Sequence, residues 1–311
     1  MLKAVSLFSG CGGSDWGLHD LGVQVEWAND VWKPACEVHK KNMPDTDVVC
    51  ADISTIAAFP SSDLLIGCYP CQGFSQGGAR NPDAKINQLY VEFGRALKQI
   101  RPLAFIVENV VGMTFGRNKV ILGNQVELFA SIGYDVRWRL LDARDYGLAQ
   151  ERKRVFLVGI RKDLGLEYYF PEPTHGGEGL PSHVPQREIL SGFPDWPETG
   201  YVTDPLTWYY MSRRRRRDWD EASPCVVSHY RSVALHPVSP EMEYVAADKY
   251  RFRSEGPARR YTYLECAALQ GFPRAFDWGD ESVKNKHRMI GNAVPPPLLK
   301  AIAEPIISML C

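Results

Sequence analysis

The sequence has no long apolar run and no strong charge of one sign. No window holds the ~18 consecutive apolar residues that a membrane-spanning helix needs. The apolar stretch at residues 1–8 is short for a signal peptide and leads directly into a glycine turn. We therefore expect a cytoplasmic protein with no membrane segment. The 36 basic and 37 acidic side chains give a net charge of −1, which neither indicates nor excludes a nucleic acid partner.

The eight cysteines are scattered along the chain and form no metal-binding pattern. Of the eight, Cys68 and Cys71 make the one C-x-x-C pair, and no second pair or nearby histidine completes a zinc site. In a chain with no secretory signal, reduced thiols are the default. We therefore expect no bound metal and no disulfide framework.

Strands and helices alternate over about the first 160 residues. Short apolar runs predict strands, and helical spacing of apolar residues, as in 86–100, predicts helices. The expected strands are 2–8, 23–28, 48–50, 63–67, 103–107 and 155–160, and the expected helices are 32–41, 86–100 and one that includes 125–131. This order predicts an α/β fold with a Rossmann-like, mostly parallel sheet and helices on both faces. Ligands of such sheets bind at the carboxyl ends of the strands.

The alternation fades after about residue 165. The stretch 166–281 is rich in proline, glycine, tryptophan and tyrosine, with one short helix expected at 261–272. A last helix is expected at 295–310, after a proline-rich turn. We predict one larger domain, 1–165 with 282–311, and a small irregular domain, 166–281.

A glycine turn, Phe8-Ser9-Gly10-Cys11-Gly12-Gly13, follows the first strand. Glycines there let the backbone approach a ligand closely, although Asp15 stands where the dinucleotide pattern has its third glycine. By itself the motif is equally typical of a tight turn. Asp30 and Asp52 follow the next two strands, where acids bind ribose hydroxyls. Together these residues indicate a nucleoside cofactor.

Two chemically active groups follow later strands. Cys71, after Pro70, is half of a redox pair with Cys68, a lone nucleophile, or an unreactive core thiol. Glu108 follows the apolar run LAFIV and is an acid at the same sheet edge, a helix cap or a surface carboxylate. The residues alone leave these alternatives open.

Two further segments carry weaker signals. In Gln150-Glu151-Arg152-Lys153-Arg154 the two arginines alternate before a strand, so one face would suit a phosphate or a base oxygen, or be a solvated edge. The segment Gly291-Asn292-Ala293-Val294-Pro295 predicts a turn before a helix.

These segments, taken in order, resemble the DNA (cytosine-5)-methyltransferases of bacterial and phage restriction–modification systems. The matching segments are FSGCGG, YPCQGFS, ENV, QERKR, RRYTYLECAALQGFP and GNAVP. The likeness covers essentially the whole chain, without permutation. The family usually has glycine at the position of Cys68, so that cysteine is incidental in this interpretation and the redox pair is set aside.

The resemblance implies S-adenosylmethionine as cofactor and gives each motif a role. The cofactor-binding positions that it implies are Phe8, Gly10, Gly12, Gly13, Asp30, Val31, Asp52, Ile53, Leu89 and Asn292. Val31 stands where the family often has a tryptophan that stacks on adenine. The catalytic positions are Cys71, Glu108, Arg152 and Arg154. Arg152 and Arg154 would hold the flipped cytosine.

The chemistry explains why these groups belong together. Cytosine is a poor carbon nucleophile until the Cys71 thiolate adds to C6 while Glu108 protonates N3. C5 then attacks the methyl group of the sulfonium cofactor. The thiol reaches C6 only if the base leaves the DNA helix, so base flipping is implied.

The small domain is expected to read DNA. Arg213, Arg215, Arg217 and Arg231 resemble a subgroup that reads short GC-rich sites such as GGCC, and arginine pairs with guanine. Alternation would place 213, 215 and 217 on one side and 214 and 216 on the other. A phosphate-binding or solvated patch is the alternative. We expect a monomer acting on double-stranded DNA at the nucleoid, beside an independent cognate endonuclease.

Three other functions were considered. A transfer-RNA methyltransferase of this architecture would carry a Cys-Phe-Thr tripeptide, which the sequence lacks. A C-x-x-C oxidoreductase would leave Glu108, QERKR and GNAVP unexplained. An inactive DNA-binding protein is disfavoured because Cys71 and Glu108 are both intact.

Overall fold

The computed structural model describes residues 1–70, 89–116 and 118–311. They divide into two compact units. The first unit is Met1–Asp142, Lys153–Glu172 and Val294–Cys311, and the second is Ala143–Arg152 and Pro173–Ala293. The second unit is larger than the small domain expected at 166–281, because it also takes in 143–152 and 282–293.

The first unit is built on a seven-stranded sheet in the order β3-β2-β1-β4-β5-β7-β6. Its strands are β1 Lys3–Leu7, β2 Gln24–Asp30, β3 Asp47–Cys50, β4 Leu64–Gly67, β5 Ala104–Val110, β6 Tyr134–Asp142 and β7 Lys153–Arg161. The first five pair in parallel, whereas β7 is antiparallel to both β5 and β6. The predicted mostly parallel α/β fold is confirmed.

Five helices of the described residues pack around this sheet. They are α1 Gly13–His19, α2 Lys33–Asn42, α3 Leu89–Ile100, α4 Asn118–Ile132 and, at the carboxyl end of the chain, α8 Pro296–Leu310. Apolar residues of the strands and helices form one core, in which the rings of Phe93, Phe105 and Phe129 meet edge to face. The helices and strands predicted from periodicity are present, with ends shifted by a few residues. Residues 86–88, which were predicted to begin the helix 86–100, lie outside the described residues.

Two elements of this unit were not predicted. Strand β6 lies at the edge of the sheet and its middle is exposed, so it carries charged residues and no apolar run. Helix α1 is seven residues long and begins Gly-Ser-Asp, which reads as a turn.

Parallel pairing places the critical loops at one edge of the sheet. Leu7 of β1 pairs with Gly67 of β4, and Gly67 pairs with Val107 of β5. Asp30 of β2 pairs with Cys50 of β3. The carboxyl ends of the five parallel strands therefore lie at one edge of the sheet. At or just beyond these ends stand the glycine turn, Asp30, Asp52, the segment leading to Cys71, and Glu108.

The second unit has little regular structure. Its elements are α5 Gln186–Leu190, the hairpin β8 Met242–Ala246 and β9 Lys249–Phe252, α6 Tyr263–Leu269 and α7 Val283–Asn292. Helix α6 was predicted and begins with a capping box between Thr262 and Glu265. The hairpin and α7 were not predicted, because neither shows a clean period.

One stretch, Val283–Leu310, is apolar and long enough to cross a membrane by length and composition. It consists of α7 and α8, which are separated at residues 293–295, and 44% of the apolar window is buried inside the protein. The core helix of a globular protein meets the same criteria.

Candidate active site

The glycine turn after β1 has an unusual backbone. Phe8 has φ of +56°, a left-handed conformation that a bulky residue seldom adopts. Its ring packs edge to face on Tyr69, with the centroids 5.9 Å apart. Strain of this kind persists only where the surrounding structure fixes it, and it clusters at ligand sites. The turn is therefore held in a defined shape, ending where Gly13 begins α1.

Asp30 connects this turn to the next strand. Its Oδ2 accepts a hydrogen bond from the Gly10 backbone N–H at 2.9 Å, and its Oδ1 accepts one from the Trp32 N–H at 2.8 Å. Each carboxylate oxygen has two lone pairs, so both retain capacity to accept from a ligand hydroxyl. The geometry suits a ribose, and the neighbouring Val31 is 70% exposed, as an adenine contact would require.

Asp52 offers a second acceptor along the same edge. Its Oδ1 accepts from both the N–H and the hydroxyl of Ser54, at 2.9 and 2.8 Å, and these bonds lower the pKa of the carboxyl. The group is thus ionised and accepts hydrogen bonds near neutral pH. The side chain of Ile53 is buried in the core, and its carbonyl accepts from the Arg95 guanidinium at 2.9 Å and from the Ile56 N–H at 3.2 Å.

The last two expected cofactor residues differ in setting. Leu89 begins α3 and packs, partly exposed, against the core of the first unit. Asn292 ends α7 in the second unit and is exposed. The structure thus brings the turn, Asp30, Asp52 and Leu89 into one unit, and Asn292 belongs to the other.

The predicted nucleophile Cys71 lies outside the described residues, but the chain that leads to it is fixed. The Tyr69 hydroxyl donates to Gln125 Oε1 at 2.6 Å, and the Tyr69 carbonyl accepts from Asn109 Nδ2 at 3.4 Å. Burial, followed by the charges of Glu108 and Asp15, raises the pKa of the Cys68 thiol well above its usual range. Cys68 is therefore a protonated, weak nucleophile.

Glu108 is buried near the end of β5 and contacts an arginine. Its Oε1 lies 2.8 Å from Nε of Arg154 on β7, and both side chains are nearly inaccessible to solvent. A guanidinium this close orients the carboxyl group, and its remaining N–H groups can donate to a base. Sequence reasoning named both residues but did not predict that they contact each other.

Arg152 has a different setting from Arg154. It belongs to the second unit, is 1% exposed, and donates to three backbone carbonyls at 2.9–3.0 Å: those of Val226, Gly291 and Ala293. A Cβ on Gly291 would lie 2.2 Å from the backbone at Val227 and Ser228. The first glycine of GNAVP is thus explained by close backbone packing around the Arg152 guanidinium.

The arginine run does not alternate as expected. Arg214 is exposed and pairs with Glu221, whereas Arg216 is buried and donates to the carbonyls of Pro237 and Ser239. The prediction that these two share one side is wrong, because the chain here is irregular and not a strand.

The arginines expected to read DNA also differ among themselves. Arg215 donates to the carbonyls of Tyr210 and Ser232. Arg217 pairs with Glu151 and Glu221, each at 3.2 Å. Arg231 is 61% exposed and pairs with Asp204 at 3.1 Å, and Arg213 is exposed.

Sequence reasoning missed a polar group below the glycine turn. His39 is buried between Ser9 and Asp15, which are also buried, and its two ring nitrogens lie 3.2 Å from the Ser9 hydroxyl and 3.2 Å from the Asp15 carboxylate. A partial signal was available, since Asp15 replaces the third glycine of the dinucleotide pattern.

The fold is an α/β sheet with acids at the carboxyl ends of its strands, an arrangement typical of proteins that bind nucleoside cofactors. Residues 2–308 match the model of the C-5 cytosine-specific DNA methylase family. The chain is 36% identical to the Type II methyltransferase M.BsuRI of Bacillus subtilis, over 98% of this chain and 79% of the relative. It is also 36% identical to M.NgoPII of Neisseria gonorrhoeae, over 98% and 95%.

Solved structures show the same fold. A prophage protein of E. coli assigned as a DNA modification methyltransferase superposes with a TM-score of 0.77 at 23% identity, covering 100% of this chain and 99% of that one. The chain belongs to the C-5 cytosine-specific DNA methylase family. It is therefore a DNA (cytosine-5)-methyltransferase that uses S-adenosylmethionine, as the sequence predicted.

Proposed function

We propose that this enzyme methylates C5 of a flipped-out cytosine in a short, specific double-stranded DNA site through a covalent Cys71–C6 adduct. The thiolate of Cys71 adds to C6, and Glu108 delivers a proton to N3, so the ring electrons are taken up as an enamine. C5 then attacks the methyl group that the cofactor supplies. A water molecule or hydroxide takes the C5 proton, the Cys71 thiolate leaves C6, and N3 returns its proton to Glu108, which restores the aromatic base.

The observation that carries this proposal is the position of Glu108 relative to the segment leading to Cys71. Gly67 pairs with Val107, and the Tyr69 carbonyl accepts from Asn109, so residues 69 and 109 are in direct contact. Cys71 is two residues beyond Tyr69, and Glu108 directly precedes Asn109. A nucleophile and an acid at adjacent strand ends are what addition across the C6 and N3 positions requires.

Arg154 has a role in the same proposal. Its Nε lies 2.8 Å from Glu108, so its guanidinium orients the carboxyl and leaves other N–H groups for the base oxygen O2. Arg152 was expected to share this role. Its three bonds to backbone carbonyls support a role in holding Gly291 and Ala293, the segment that carries Asn292.

The biological setting is proposed by analogy with the relatives. Two of them are named Type II methyltransferases, which supports a restriction–modification role beside an endonuclease that acts independently. We propose a cytoplasmic monomer that works on the nucleoid and reads a short, GC-rich site with arginines of the second unit. Arg213 and Arg231, which are exposed, and half-buried Arg217 are the candidates, since guanine offers O6 and N7 to a guanidinium.

Trapping the adduct tests the mechanism. A DNA duplex with 5-fluorocytosine at the target position cannot lose its C5 substituent, so the enzyme should remain covalently attached to it. We expect a denaturation-resistant complex with wild-type protein and with Cys68→Ser, and none with Cys71→Ser, which should still bind the cofactor. Glu108→Gln should form the adduct slower by about 10²–10⁴-fold.

The matched cysteine variants decide between the readings. A complex that forms with Cys71→Ser would contradict the nucleophile assignment. Equal loss in Cys68→Ser and Cys71→Ser would instead favour a paired-cysteine chemistry. Bisulfite sequencing of DNA from cells that express the enzyme identifies the recognition site and the modified cytosine.

A further inference from the structure

A buried chain of three polar side chains lies under the glycine turn. His39 of α2 is fully buried, with Nδ1 3.2 Å from Ser9 Oγ and Nε2 3.2 Å from Asp15 Oδ2. Ser9 belongs to the turn after β1, and Asp15 to the first turn of α1. The imidazole thus connects three separate pieces of the nucleoside-binding edge.

The aspartate end of this chain is firmly anchored. Asp15 is fully buried, and its Oδ1 accepts from the hydroxyls of Ser6 at 2.6 Å and Ser14 at 2.8 Å. A carboxyl group is costly to bury unless such bonds satisfy it. Because both hydroxyls use Oδ1, Oδ2 is directed at His39. Asp15, held by hydroxyls of β1 and α1, therefore places a carboxylate oxygen beside Nε2 in an electrostatic contact that lacks hydrogen-bond geometry.

The protonation state of His39 sets the direction of the hydrogen bonds. Burial lowers the pKa of the imidazole, against the opposing charges of Asp15 and Asp30, so the ring is neutral near pH 7. A neutral ring has one N–H donor and one acceptor nitrogen. With a carboxylate at Nε2, the proton belongs on Nε2. The Ser9 hydroxyl lies 3.2 Å from Nδ1 and 3.4 Å from the Asn29 carbonyl oxygen, so its one proton is shared between these two acceptors.

The ring also packs on the turn itself. Gly12 has φ of +89°, and a Cβ there would lie 2.9 Å from His39 Cδ2. His39 thus contacts the turn at Ser9 and at Gly12, one on each side of Gly10. Gly10 is the residue whose N–H donates to Asp30. Losing the ring would release both flanks of the bond that orients the proposed ribose-binding acid.

We propose that His39 is a positioning residue that sets the affinity for S-adenosylmethionine without taking part in methyl transfer. Its ring, oriented by Asp15, holds the Ser9–Gly12 turn in the shape that accepts the cofactor. This inference rests on the proposed assignment of the turn and Asp30 to the cofactor site. The contacts between Ser9, His39 and Asp15 do not involve Cys71 or Glu108. The chemical step should therefore be unaffected once the cofactor is bound.

The test compares two substitutions at residue 39 with a matched neighbour. His39→Leu keeps bulk but removes both nitrogens, and His39→Gln keeps a donor near the Nε2 position. Val38→Ala opens a cavity at a buried residue of the same helix that takes no part in the contacts between Ser9, His39 and Asp15. Calorimetry should show a Kd for S-adenosylmethionine raised about tenfold in His39→Leu, because the hydrogen bond to Ser9 and the contact with the Asp15 carboxylate are both lost. His39→Gln should recover part of that loss.

Steady-state kinetics separates positioning from a merely structural role. In His39→Leu the KM for S-adenosylmethionine should rise in parallel with Kd, with kcat at saturating cofactor and the KM for DNA within about twofold of wild type. Val38→Ala should lower the melting temperature and leave Kd unchanged. Should His39→Leu fail to fold, Ser9→Ala removes one hydroxyl and should raise Kd about three- to fivefold.

Two results would overturn the inference. The first is an unchanged Kd in folded His39→Leu, or in Ser9→Ala if His39→Leu does not fold. The second is a rise in Kd that Val38→Ala reproduces. Asp30→Ala separates this failure from that of the site assignment. If Asp30→Ala weakens cofactor binding and His39→Leu does not, His39 has no positioning role. If Asp30→Ala also has no effect, the cofactor site has been misassigned.

Discussion

In the first unit the sheet is enclosed by apolar side chains such as Phe93, Phe105 and Ile106, all fully buried. The second unit also buries apolar residues, such as Leu235 and Phe272, but it buries cations beside them. Its interior guanidiniums donate to backbone carbonyls or to a buried carboxylate, and they belong to Arg152, Arg215, Arg216, Arg259 and Arg260. Most of these carbonyls lie in segments with no sheet or helix to satisfy them.

This difference shows how an irregular chain can be fixed in one shape. A peptide carbonyl that is buried without a partner is destabilising, and strands and helices solve the problem locally. A guanidinium has five donors in a planar fork and can satisfy two or three carbonyls from distant segments. Arg260 does this for Val202, Asp204 and Pro205. In such a unit, arginine side chains supply the hydrogen bonds to backbone carbonyls that strands and helices would otherwise provide.

The sharpest test of this comparison is Arg152→Met beside Arg154→Met. Methionine at 152 leaves the carbonyls of Val226, Gly291 and Ala293 without the guanidinium, at roughly 1–3 kcal/mol for each one left unsatisfied. We expect the free energy of unfolding, measured in urea, to fall by at least about 3 kcal/mol. Arg154→Met should lose methyl transfer with a smaller change in stability. The reverse pattern would mean that Arg152 is the group acting on the base.

The same contrast explains what could be predicted from the sequence. Strands such as β4 and β5 are apolar runs that end at turn residues, so their positions and the edge acids Asp30 and Glu108 follow from local patterns. Arg152 and Arg154 look equivalent in the sequence. Their settings differ because the partners of Arg152 lie 74 to 141 residues away, and no periodicity encodes such contacts.

The hairpin β8–β9 and helix α7 were missed for a related reason. Their exposed positions carry charges and tyrosines, and one face alone is buried, so the apolar signal is weak. The glycine turn was found, but the role of Asp15 was not. Its partner His39 is one of several polar residues of α2, and nothing in the sequence distinguishes it from them. Only the packing of α2 against the turn brings His39 and Asp15 together.

Acid should destabilise the second unit through its buried histidines. Burial, with the charge of nearby Arg260, lowers the pKa of His287 to about 4, and burial with Arg259 and Arg216 lowers that of His236 to about 3. These folded values lie below the unfolded value of about 6.5, so the unfolded chain binds more protons. Their stabilisation is complete above pH 6.5 and is lost as the pH falls towards 4.

His287→Leu isolates one of these groups. Among the described residues neither ring nitrogen of His287 has a hydrogen-bond partner, so the substitution should cost little at pH 7. Below pH 6.5 the variant should gain on wild type by up to about 1.4 kcal/mol per pH unit. Urea unfolding at pH 7, 6 and 5 measures this. Parallel curves for the two proteins would show that His287 titrates alike in the folded and unfolded states.

The smallest effect on stability is expected within the arginine run itself, and it separates structural arginines from those free to meet DNA. Arg213 is exposed, and no ion pair or hydrogen bond connects it to another described residue, so Arg213→Ala should change the unfolding free energy by less than about 0.5 kcal/mol. Arg215→Ala should cost about 1–3 kcal/mol, because the carbonyls of Tyr210 and Ser232 lose their donor.

DNA binding then decides what Arg213 does. If it reads guanine, Arg213→Ala should weaken cognate binding by about 1–3 kcal/mol and leave scrambled duplexes unaffected. If it contacts phosphate, both duplexes should lose affinity and the salt slope should fall by about 1. Fluorescence anisotropy at two salt concentrations distinguishes the two, with Arg217→Ala and Arg231→Ala measured alongside. Equal binding by Arg213→Ala and wild type on both duplexes would remove Arg213 from the interface and leave exposed Arg231 and half-buried Arg217 as the candidates.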